Sequence, residues 1–332
     1  MSVVALTGAT GFLGAHIVAA LGPGHTVRAI SRRGHAVGGA AGVAADCTDR
    51  ASISRALAGA DLLIHAAGKV SHHPDDAAAL WDAHVVATRE TLAAAREAGV
   101  RRVVYLSTSG TCAVGRDAGV PKSEDAVDVL PLIQEWPYYR SKRFAEELAL
   151  AAHAPGFEVI CLNPSLLLGP GDEPLGASTR PVRVFLDDGV PFPPGGTIAF
   201  VDVRDVAAAC VRALHHGPGG QRILLNGANL RFAAFYERLA RISGKRGPIA
   251  AVPDTARRVL RWLPGLGKDS EIGIGGAKLS RDELILASHH WDVDDTRARG
   301  ALGWSPRDPT RTLEDTIFDL QDRRAAAAAR WA

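Results

Sequence analysis

The stretch Thr7-Gly-Ala-Thr-Gly-Phe-Leu-Gly14 lies between a short apolar run, Val3–Leu6, and a helical segment that includes His16–Leu21. Val3–Leu6 is typical of a buried parallel strand. Three glycines in the pattern G-x-x-G-x-x-G allow a tight turn, a close approach of pyrophosphate to the backbone, and close helix–strand packing. The helix N-terminus adds free N–H groups and a positive dipole end. The stretch therefore predicts a dinucleotide site rather than a flexible loop, comprising Gly8, Thr10, Gly11, Phe12, Leu13 and Gly14.

Apolar runs alternate with helical segments beyond this turn. The predicted strands are Thr26–Ile30, Gly42–Ala44, Asp61–Ala66, Val103–Leu106 and Val159–Leu162. The predicted helices are Ser52–Leu57, Asp75–Ala98 and Ser141–His153. This alternation favours a parallel sheet with helices on both faces. Because crossovers are right-handed, we expect an α/β fold with a doubly wound parallel Rossmann sheet.

The pattern changes after Pro164, where residues 169–196 are rich in Gly and Pro. We expect a strand, a helix and a strand that return to the sheet, at Phe200–Val203, Val206–Leu214 and Ile223–Leu225. Phe232–Ser243 is predicted to be helical, and the stretch from there to Ala287 irregular. Residues 1–165 and 199–229 would then form an NADP-binding Rossmann domain. Residues 166–198 and 230–332 would form a smaller C-terminal substrate-binding region.

Composition bounds the class of protein. The 332 residues are 47% hydrophobic and 22% charged, with a net charge of +2 and no basic block. We therefore expect neither a nucleic-acid nor a membrane partner. Four widely spaced cysteines predict no metal site and no disulfide framework. The N-terminus has no signal-peptide pattern, and no apolar run approaches the roughly 20 residues of a membrane span. We expect a cytoplasmic protein.

The end of the second strand predicts which dinucleotide is preferred. An acidic residue there would bind the ribose hydroxyls of NAD, but the sequence is Ser31-Arg32-Arg33. A guanidinium can pair with a 2′-phosphate through two hydrogen bonds, which favours NADP(H), although solvated loop arginines are the alternative. Asp46-Cys47 follows the third strand. Asp46 is a candidate acceptor for the adenine amino group or, equally, a helix-capping residue.

Tyr138 and Lys142 are four residues apart at the start of a helix and so share one face. An ammonium near a phenol lowers the phenol pKa from about 10 toward neutrality, so Tyr138 is a candidate acid–base residue. The cluster Ser107-Thr-Ser-Gly-Thr111 ends the preceding strand and offers a hydroxyl that could polarise a carbonyl. We favour Ser109, with Thr108 and Thr111 as competitors. We expect Tyr139 to lie on another face of the helix.

These motifs resemble the extended short-chain dehydrogenase/reductase family, also called the NAD-dependent epimerase/dehydratase family, and most closely its dihydroflavonol-reductase-like branch. The matching stretches are TGATGFLG at 7–14, VRAISR at 27–32, DLLIHAAG at 61–68, RRVVYLSTSGT at 101–111, YYRSK at 138–142, NPSLLLGPGD at 163–172 and FVDVRDVA at 200–207. The resemblance covers nearly the whole chain.

The resemblance implies further site residues and an assembly. Ala66 and Ala67 would line the cofactor, the backbone at Pro164–Leu166 would contact the nicotinamide, and Arg32 would bind the 2′-phosphate. Members of the family often pair across a two-fold axis through the helices at Asp75–Ala98 and Tyr138–His153. A homodimer is therefore expected, with candidate apolar contacts at Leu80, Val85, Leu92, Phe144 and Leu148, unless these side chains face the sheet.

Two departures from the family pattern bear on function. The usual Asn-Val-x-Gly-Thr reads His84-Val-Val-Ala-Thr88, so His84 either replaces the asparagine as a hydrogen-bonding residue or fills space. Sugar-nucleotide members carry an arginine before the strand at Phe200–Val203, where this chain has Ile198 and Ala199. An apolar pocket wall is expected instead, from Leu132, Ile133, Trp136, Leu166 and Leu167. His73, Arg180 and Arg183 are candidates for the substrate mouth.

The sequence thus predicts an NADPH-dependent reductase that transfers hydride to the carbonyl of a small or lipophilic organic substrate. Tyr138 would be the acid, Lys142 would lower its pKa and orient the ribose, and Ser109 would polarise the carbonyl. An epimerase or dehydratase acting on a sugar nucleotide is the first alternative. A non-catalytic dinucleotide-sensing protein is the second, although it would not need this set of three residues.

Overall fold

Seven parallel strands form the central sheet of the computed structural model, which describes residues 2–126, 129–172, 176, 178–250, 252, 271–274 and 277–329. They are β1 (Ser2–Thr7), β2 (His25–Ser31), β3 (Ala41–Ala44), β4 (Leu62–His65), β5 (Arg102–Leu106), β6 (Glu158–Pro164) and β9 (Arg222–Leu225). Their order is β3-β2-β1-β4-β5-β6-β9, so the direction of winding reverses between β1 and β4. This arrangement confirms the predicted doubly wound Rossmann sheet.

Helices cover both faces of this sheet. One face packs against α1 (Phe12–Leu21), α8 (Val203–Ala213) and α11 (Thr296–Leu302), and the other against α2 (Arg50–Leu57), α4 (Ala87–Glu97) and α6 (Pro137–Ala151). Side chains of a strand alternate between faces. Leu6 accordingly lies in the first core cluster and its neighbour Ala5 in the second. Two-sided burial explains the continuous apolar runs of the sequence.

The predicted helix over Asp75–Ala98 is divided. A 3₁₀ turn at Pro74–Asp76 leads into α3 (Ala77–Trp81), and a π-helical turn at Asp82–Val86 separates α3 from α4. The prediction of one continuous helix is therefore wrong in detail. A π turn closes i→i+5 hydrogen bonds and often occurs at functional sites. Here the π turn carries His84 into the interior, where its side chain is 1% exposed.

A second sheet has three strands in the order β10-β8-β7. These are β7 (Leu166–Leu168), β8 (Thr197–Asp202) and β10 (Ala228–Arg231), and β10 is antiparallel to β8. The prediction that Phe200–Val203 returns to the central sheet is wrong. The edge beside β6 is occupied by β9, so only that strand returns.

The second sheet has its own core. It packs against α7 (Arg180–Asp188), α9 (Phe232–Ser243) and α12 (Pro309–Ala329). The helix predicted at Phe232–Ser243 is confirmed. The stretch predicted to be irregular contains a hairpin, β11 (Glu271–Ile274) with β12 (Ala277–Ser280), and α10 (Arg281–Ala287), while residues 253–270 lie outside the described ranges. The division into two domains stays a prediction. No described helix is both long and apolar enough to cross a bilayer.

Candidate active site

Two glycines shape the turn between β1 and α1. Gly8 has a φ of +75°, and a Cβ there would lie 2.7 Å from the carbonyl carbon of Ala66. A Cβ on Gly14 would lie 2.1 Å from the carbonyl oxygen of Gly8. Neither position can hold a larger residue without a backbone shift. The turn thus brings the end of β1 against the residues that follow β4.

The N-terminus of α1 opens at this turn. Gly11 is its N-cap and offers no side-chain acceptor, and the first helical turn has no acidic residue. Thr10 is exposed, while Phe12 and Leu13 are half-buried. The free N–H groups and the positive dipole end therefore form a cradle for an anion. The cradle lies where the strand order reverses, which is the usual ligand crevice of such sheets.

The residues after β4 close the other side of the crevice. Ala66 and Ala67 are half-buried. The amide of Ala66 donates to the Thr7 carbonyl at 3.2 Å, and the amide of Ala67 donates to the Thr7 hydroxyl at 3.3 Å. That hydroxyl lies 2.7 Å from Nδ1 of His65. Burial and, to a smaller extent, the charge of Lys142 lower the pKa of His65 to about 3, so its ring is neutral. Sequence analysis had not singled out His65.

The end of β2 presents a hydroxyl and two arginines. Arg32 and Arg33 are exposed. The Ser31 hydroxyl oxygen is buried and has no hydrogen-bond partner among the described residues. A buried polar atom without a partner costs free energy. The Ser31 position is therefore suited to a ligand that supplies a hydrogen bond.

Asp46 and Cys47 follow β3 directly. The Asp46 carboxylate accepts from the amide and hydroxyl of Thr48, and these bonds together with the charge of Arg32 lower its pKa. The N-cap of α2 is Asp49, not Asp46, so the helix-capping alternative for Asp46 is wrong. Burial raises the pKa of the half-buried Cys47 thiol to about 11. The roles of Asp46 and Cys47 in binding adenine stay predictions.

Lys142 lies one helical turn beyond Tyr138 on α6. The helix begins with Pro137 after an extended Trp136, as suits a proline at the first helical position. The Lys142 ammonium donates to the carbonyl of Leu106, the last residue of β5, at 2.9 Å. Burial lowers the pKa of Lys142 to about 8, an effect opposed by the nearby Glu146 carboxylate. The lysine is thus fixed between α6 and the end of β5.

The pKa of the Tyr138 phenol differs from the prediction made from the sequence. Burial raises the pKa of its phenol to about 12, and a hydrogen bond with the Thr108 side chain opposes this rise only in part. The predicted lowering toward neutrality is wrong for this structure, because the loss of solvation outweighs the stabilisation of the phenolate. The phenol therefore keeps its proton at neutral pH.

Thr108 is the member of the hydroxyl cluster that lowers the pKa of Tyr138, and the catalytic role of the favoured Ser109 stays a prediction. Thr108 is half-buried and is the N-cap of a 3₁₀ turn at Ser109–Thr111. Ser109 is 6% exposed, and its carbonyl accepts from the amide of Ala113 at 2.7 Å. The Thr111 hydroxyl donates to Glu146 at 2.8 Å and so faces the interior.

Glu146 is a site residue that sequence analysis missed. It is fully buried on α6, four residues after Lys142. Its carboxylate accepts from Ser107, Thr111 and Asn163, and it lies 2.9 Å from the Arg222 guanidinium. This network fixes the ends of β5 and β6 beside the catalytic helix. The sequence signal was a third functional residue at the same spacing, Tyr138-x₃-Lys142-x₃-Glu146.

Other rings surround Tyr138. Its ring centroid lies 5.7 Å from that of His72, 5.6 Å from that of His84 and 5.0 Å from that of Tyr139. Tyr139 follows Tyr138 on α6, and their rings touch edge to face, although consecutive helical residues project in different directions. The His72 ring therefore contacts the phenol, whereas the His73 side chain is exposed and accepts from the amide of Asp75, and a place for His73 at the substrate mouth stays a prediction.

Aromatic side chains form a wall next to Tyr139. Its ring lies 5.1 Å from that of Trp291 and 6.0 Å from that of Trp136. Leu132 and Ile133 belong to the same apolar cluster, which fits ordinary core packing as well as a pocket wall, so their place in the wall stays a prediction. Leu166 and Leu167 pack elsewhere, against the second core and the first. Burial and the charge of Arg180 lower the pKa of His72, which places Arg180 on this side of the molecule.

The end of β6 adjoins the same site. Pro164 is its last residue and is buried, while Leu166 is half-buried and starts β7. Asn163 donates to the Thr108 carbonyl at 3.1 Å, which ties β6 to the turn that carries Thr108. Contact of Pro164 and Leu166 with a nicotinamide stays a prediction.

Ile198 and Ala199, which stand where sugar-nucleotide members of the family carry an arginine, lie inside a strand. Ile198 and Ala199 are 6% and 4% exposed within β8, which begins at Thr197 and not at Phe200. Neither side chain can pair with a diphosphate. Taken together, the geometry joins an anion cradle to a protonated phenol, a hydroxyl and an ammonium, which is what acid–base chemistry at a carbonyl or alcohol requires.

Comparison with known proteins agrees with this geometry. The model of the NAD dependent epimerase/dehydratase family matches residues 4–225. The chain is 34% identical to sterol demethylase protein B of Methylococcus capsulatus over 324 residues, which are 96% of this chain and 98% of that protein. It is 30% identical to a protein provisionally named dihydroflavonol 4-reductase from Synechocystis sp., covering 96% of this chain and 94% of that one.

A solved structure is similar throughout. The crystal structure of gox2253 superposes with a TM-score of 0.82 and 25% identity, over 97% of this chain and 99% of that one. The family match covers about two thirds of the chain, and the relatives cover nearly all of it. The protein is thus an NAD(P)-dependent oxidoreductase that belongs to the NAD-dependent epimerase/dehydratase family, in its dihydroflavonol-reductase-like branch.

Proposed function

We propose that this protein reduces the carbonyl group of a lipophilic organic substrate with NADPH. The observation that carries the proposal is the position of Lys142, whose ammonium lies one helical turn beyond Tyr138 and donates to the Leu106 carbonyl at the end of β5 at 2.9 Å. A phenol with a raised pKa is protonated at neutral pH, as a proton donor in reduction must be. The named similarity to a dihydroflavonol 4-reductase supports the same direction.

The residues present fit a nicotinamide dinucleotide phosphate. The cradle at Gly8, Gly11 and Gly14 would hold the pyrophosphate on the N-terminus of α1. The exposed Arg32 would pair with the 2′-phosphate, and the buried Ser31 hydroxyl would gain the partner that it lacks. The strand end Ser31-Arg32-Arg33 carries no carboxylate of its own, although Asp46 after β3 lies within electrostatic range of Arg32. NADPH is therefore the preferred form in this proposal.

The chain's own groups would act on the carbonyl oxygen. When bound, the cofactor supplies the hydride that adds to the carbonyl carbon. Tyr138 gives its proton to the oxygen as the C=O π electrons move there, so an alcohol forms. The Lys142 ammonium stabilises the phenolate that remains, and the Thr108 hydroxyl donates to the oxygen as its negative charge develops. Thr108 replaces Ser109 in this role.

The neighbourhood of the phenol supports a lipophilic substrate. The half-buried rings of Tyr139 and Trp291 lie beside Tyr138 and pack on the buried Trp136, which makes this side of the site apolar. The sugar-nucleotide alternative needs a cation for the diphosphate at a position that holds buried Ile198 and Ala199. The proposal therefore favours net reduction over epimerisation or dehydration.

Consumption of NADPH at 340 nm with a panel of lipophilic ketones and aldehydes tests the proposal. We expect net oxidation of NADPH, faster than that of NADH, and faster with aromatic or fused-ring carbonyl compounds than with sugar nucleotides. Conversion of a UDP-sugar without net change in the cofactor would contradict it and favour the epimerase alternative.

A further inference from the structure

His84 occupies a position where its two ring nitrogens join three segments of the chain. Nε2 lies 3.3 Å from the backbone amide of Lys69, in the loop that follows β4. Nδ1 lies 2.8 Å from the Ser141 hydroxyl on α6, and that hydroxyl lies 3.0 Å from the Tyr138 carbonyl. The histidine itself comes from the π turn between α3 and α4. One buried side chain therefore links that loop, the π turn and the first turn of the catalytic helix.

The groups at the two ends of this series of hydrogen bonds, a backbone amide and a backbone carbonyl, fix the direction of every bond in it. A backbone amide can only donate, so Nε2 of His84 must accept and cannot carry a proton. A neutral ring then carries its proton on Nδ1 and donates it to Ser141. A carbonyl can only accept, so the Ser141 hydroxyl donates to Tyr138. All the hydrogen bonds therefore point in one direction: Lys69 donates to His84, His84 donates to Ser141, and Ser141 donates to the Tyr138 carbonyl.

The ring stays neutral, which preserves this direction. Burial, followed by the charge of Lys142, lowers the pKa of His84 to about 2. Protonation of the ring would place its second proton on Nε2, where it would face the N–H of Lys69 and break that hydrogen bond. The ring and the Lys142 ammonium both lie beside Gly68, where an added Cβ would be 3.3 Å from Nε2 and 3.6 Å from the ammonium. The ring edge meets that of Tyr138 at 5.6 Å between centroids and 76° between planes.

We propose that His84 is a positioning residue, a neutral Nδ1–H imidazole that holds the backbone of Tyr138 through Ser141 and holds the loop after β4 through Lys69. It is not a proton relay, since both nitrogens are engaged with fixed partners. The proposal concerns the orientation of the acid in the reductase activity proposed above and rests on it. It also assigns a role to the histidine that stands at the family's asparagine position.

The tautomer of the His84 ring can be measured by NMR without assaying any enzymatic reaction. In protein labelled with ¹⁵N histidine, the His84 ring resonances are assigned by their loss in His84→Phe, which keeps a planar ring but no hydrogen bond. If this variant does not fold, His84→Asn provides the assignment. We expect a protonated Nδ1 and an unprotonated Nε2, unchanged from about pH 5 to 9, whereas an ordinary histidine titrates near 6.5. A protonated Nε2 or titration in this range would overturn the proposal.

The positioning role is tested by kinetics on a carbonyl substrate. His84→Phe and Ser141→Ala each remove a hydrogen bond from the same series. Each should therefore lower kcat by about ten- to hundredfold, the scale of a misplaced catalytic group. The double variant should be no worse than either single variant, because coupled sites are not additive. The shape of the pH profile should persist, and added imidazole should not restore activity.

Controls separate this inference from the proposed activity. His84→Asn can still accept from Lys69 and donate to Ser141, so it should retain more turnover than His84→Phe. His216→Phe, a change at an exposed histidine after α8, should leave turnover unchanged. Wild-type kcat in His84→Phe, additive losses in the double variant, or rescue by imidazole would overturn the positioning role. If no carbonyl compound is reduced, the proposed function fails, while the ring resonances still decide the tautomer.

Discussion

The half-buried Thr108 caps the 3₁₀ turn and lowers the pKa of the Tyr138 phenol, while Ser109, the next residue, is buried in that turn. Because of this relationship, we propose that Thr108, rather than Ser109, polarises the carbonyl. Thr108→Val keeps the shape of the side chain and removes its hydroxyl. It should lower kcat by about 10²- to 10³-fold, the usual effect of losing one donor to a developing oxyanion. Ser109→Ala is the matched control and should lower kcat only slightly. If Ser109→Ala lowers kcat more than Thr108→Val in steady-state kinetics, Ser109 and not Thr108 polarises the carbonyl.

Arg32 should determine the preference for NADPH. Arg32→Ala removes a charged hydrogen bond to the 2′-phosphate, worth about 1.5–3 kcal/mol, which weakens NADPH binding by about ten- to hundredfold. NADH binding should hardly change, because it has no such phosphate. Fluorescence titration of both cofactors measures this, with Arg33→Ala as the matched control. Equal affinity of the unmutated protein for NADH and NADPH would contradict the assignment.

Activity should depend on the protonation of Lys142. Its pKa is lowered to about 8 by burial, so raising the pH through this value removes the positive charge that stabilises the Tyr138 phenolate. The value of kcat/KM for reduction, which reports groups of the free enzyme, should fall above about pH 8. Tyr138, with its pKa raised to about 12, keeps its proton throughout. A kcat/KM that stays level to about pH 10 would show that this lysine does not act through its charge.

Three exposed apolar side chains form the most suitable dimer surface on the predicted helices. Trp81, Phe144 and Leu148 are 41%, 44% and 37% exposed, and the Trp81 and Phe144 rings lie 5.3 Å apart. The other candidates, Leu80, Val85 and Leu92, are buried in the protomer. We expect a homodimer by light scattering at micromolar concentration.

Phe144→Glu would place a charge in that surface and should yield monomers, since an unpaired buried charge is costly. Phe318→Glu changes a residue of comparable exposure on α12 and should leave the dimer intact. A monomeric mass for the unmutated protein would count against the dimer, and a dimer that survives Phe144→Glu would place the interface elsewhere.

The elements that local rules determine were predicted well. The glycine turn and the Tyr138–Lys142 spacing depend on backbone conformation and helical periodicity, which neighbouring residues specify. The π turn around His84 and the pairing of β8 with β7 depend on contacts between distant segments, so periodicity did not reveal them.

The chemistry of the site was harder to predict than its location. Which hydroxyl meets Tyr138 depends on the rotation of the 3₁₀ turn that begins after Thr108, and three neighbouring hydroxyls have the same local pattern. The pKa of Tyr138 depends on how much water the fold excludes, and the sequence pattern indicated only its possible charged partner. Glu146 carried a signal in its spacing from Lys142, but its role follows from Ser107, which comes just after β5, and from partners on β6 and β9.

Turnover of Tyr138→Phe tests the central claim most directly. The variant keeps the ring that contacts His72 and His84 and removes the proton donor. With a carbonyl compound that the unmutated enzyme reduces, kcat should fall by about 10²- to 10⁴-fold, the scale of general acid catalysis, while NADPH affinity stays nearly the same. Tyr139→Phe, the same change on the adjacent ring, should be mild. Near-full activity of Tyr138→Phe would contradict the mechanism.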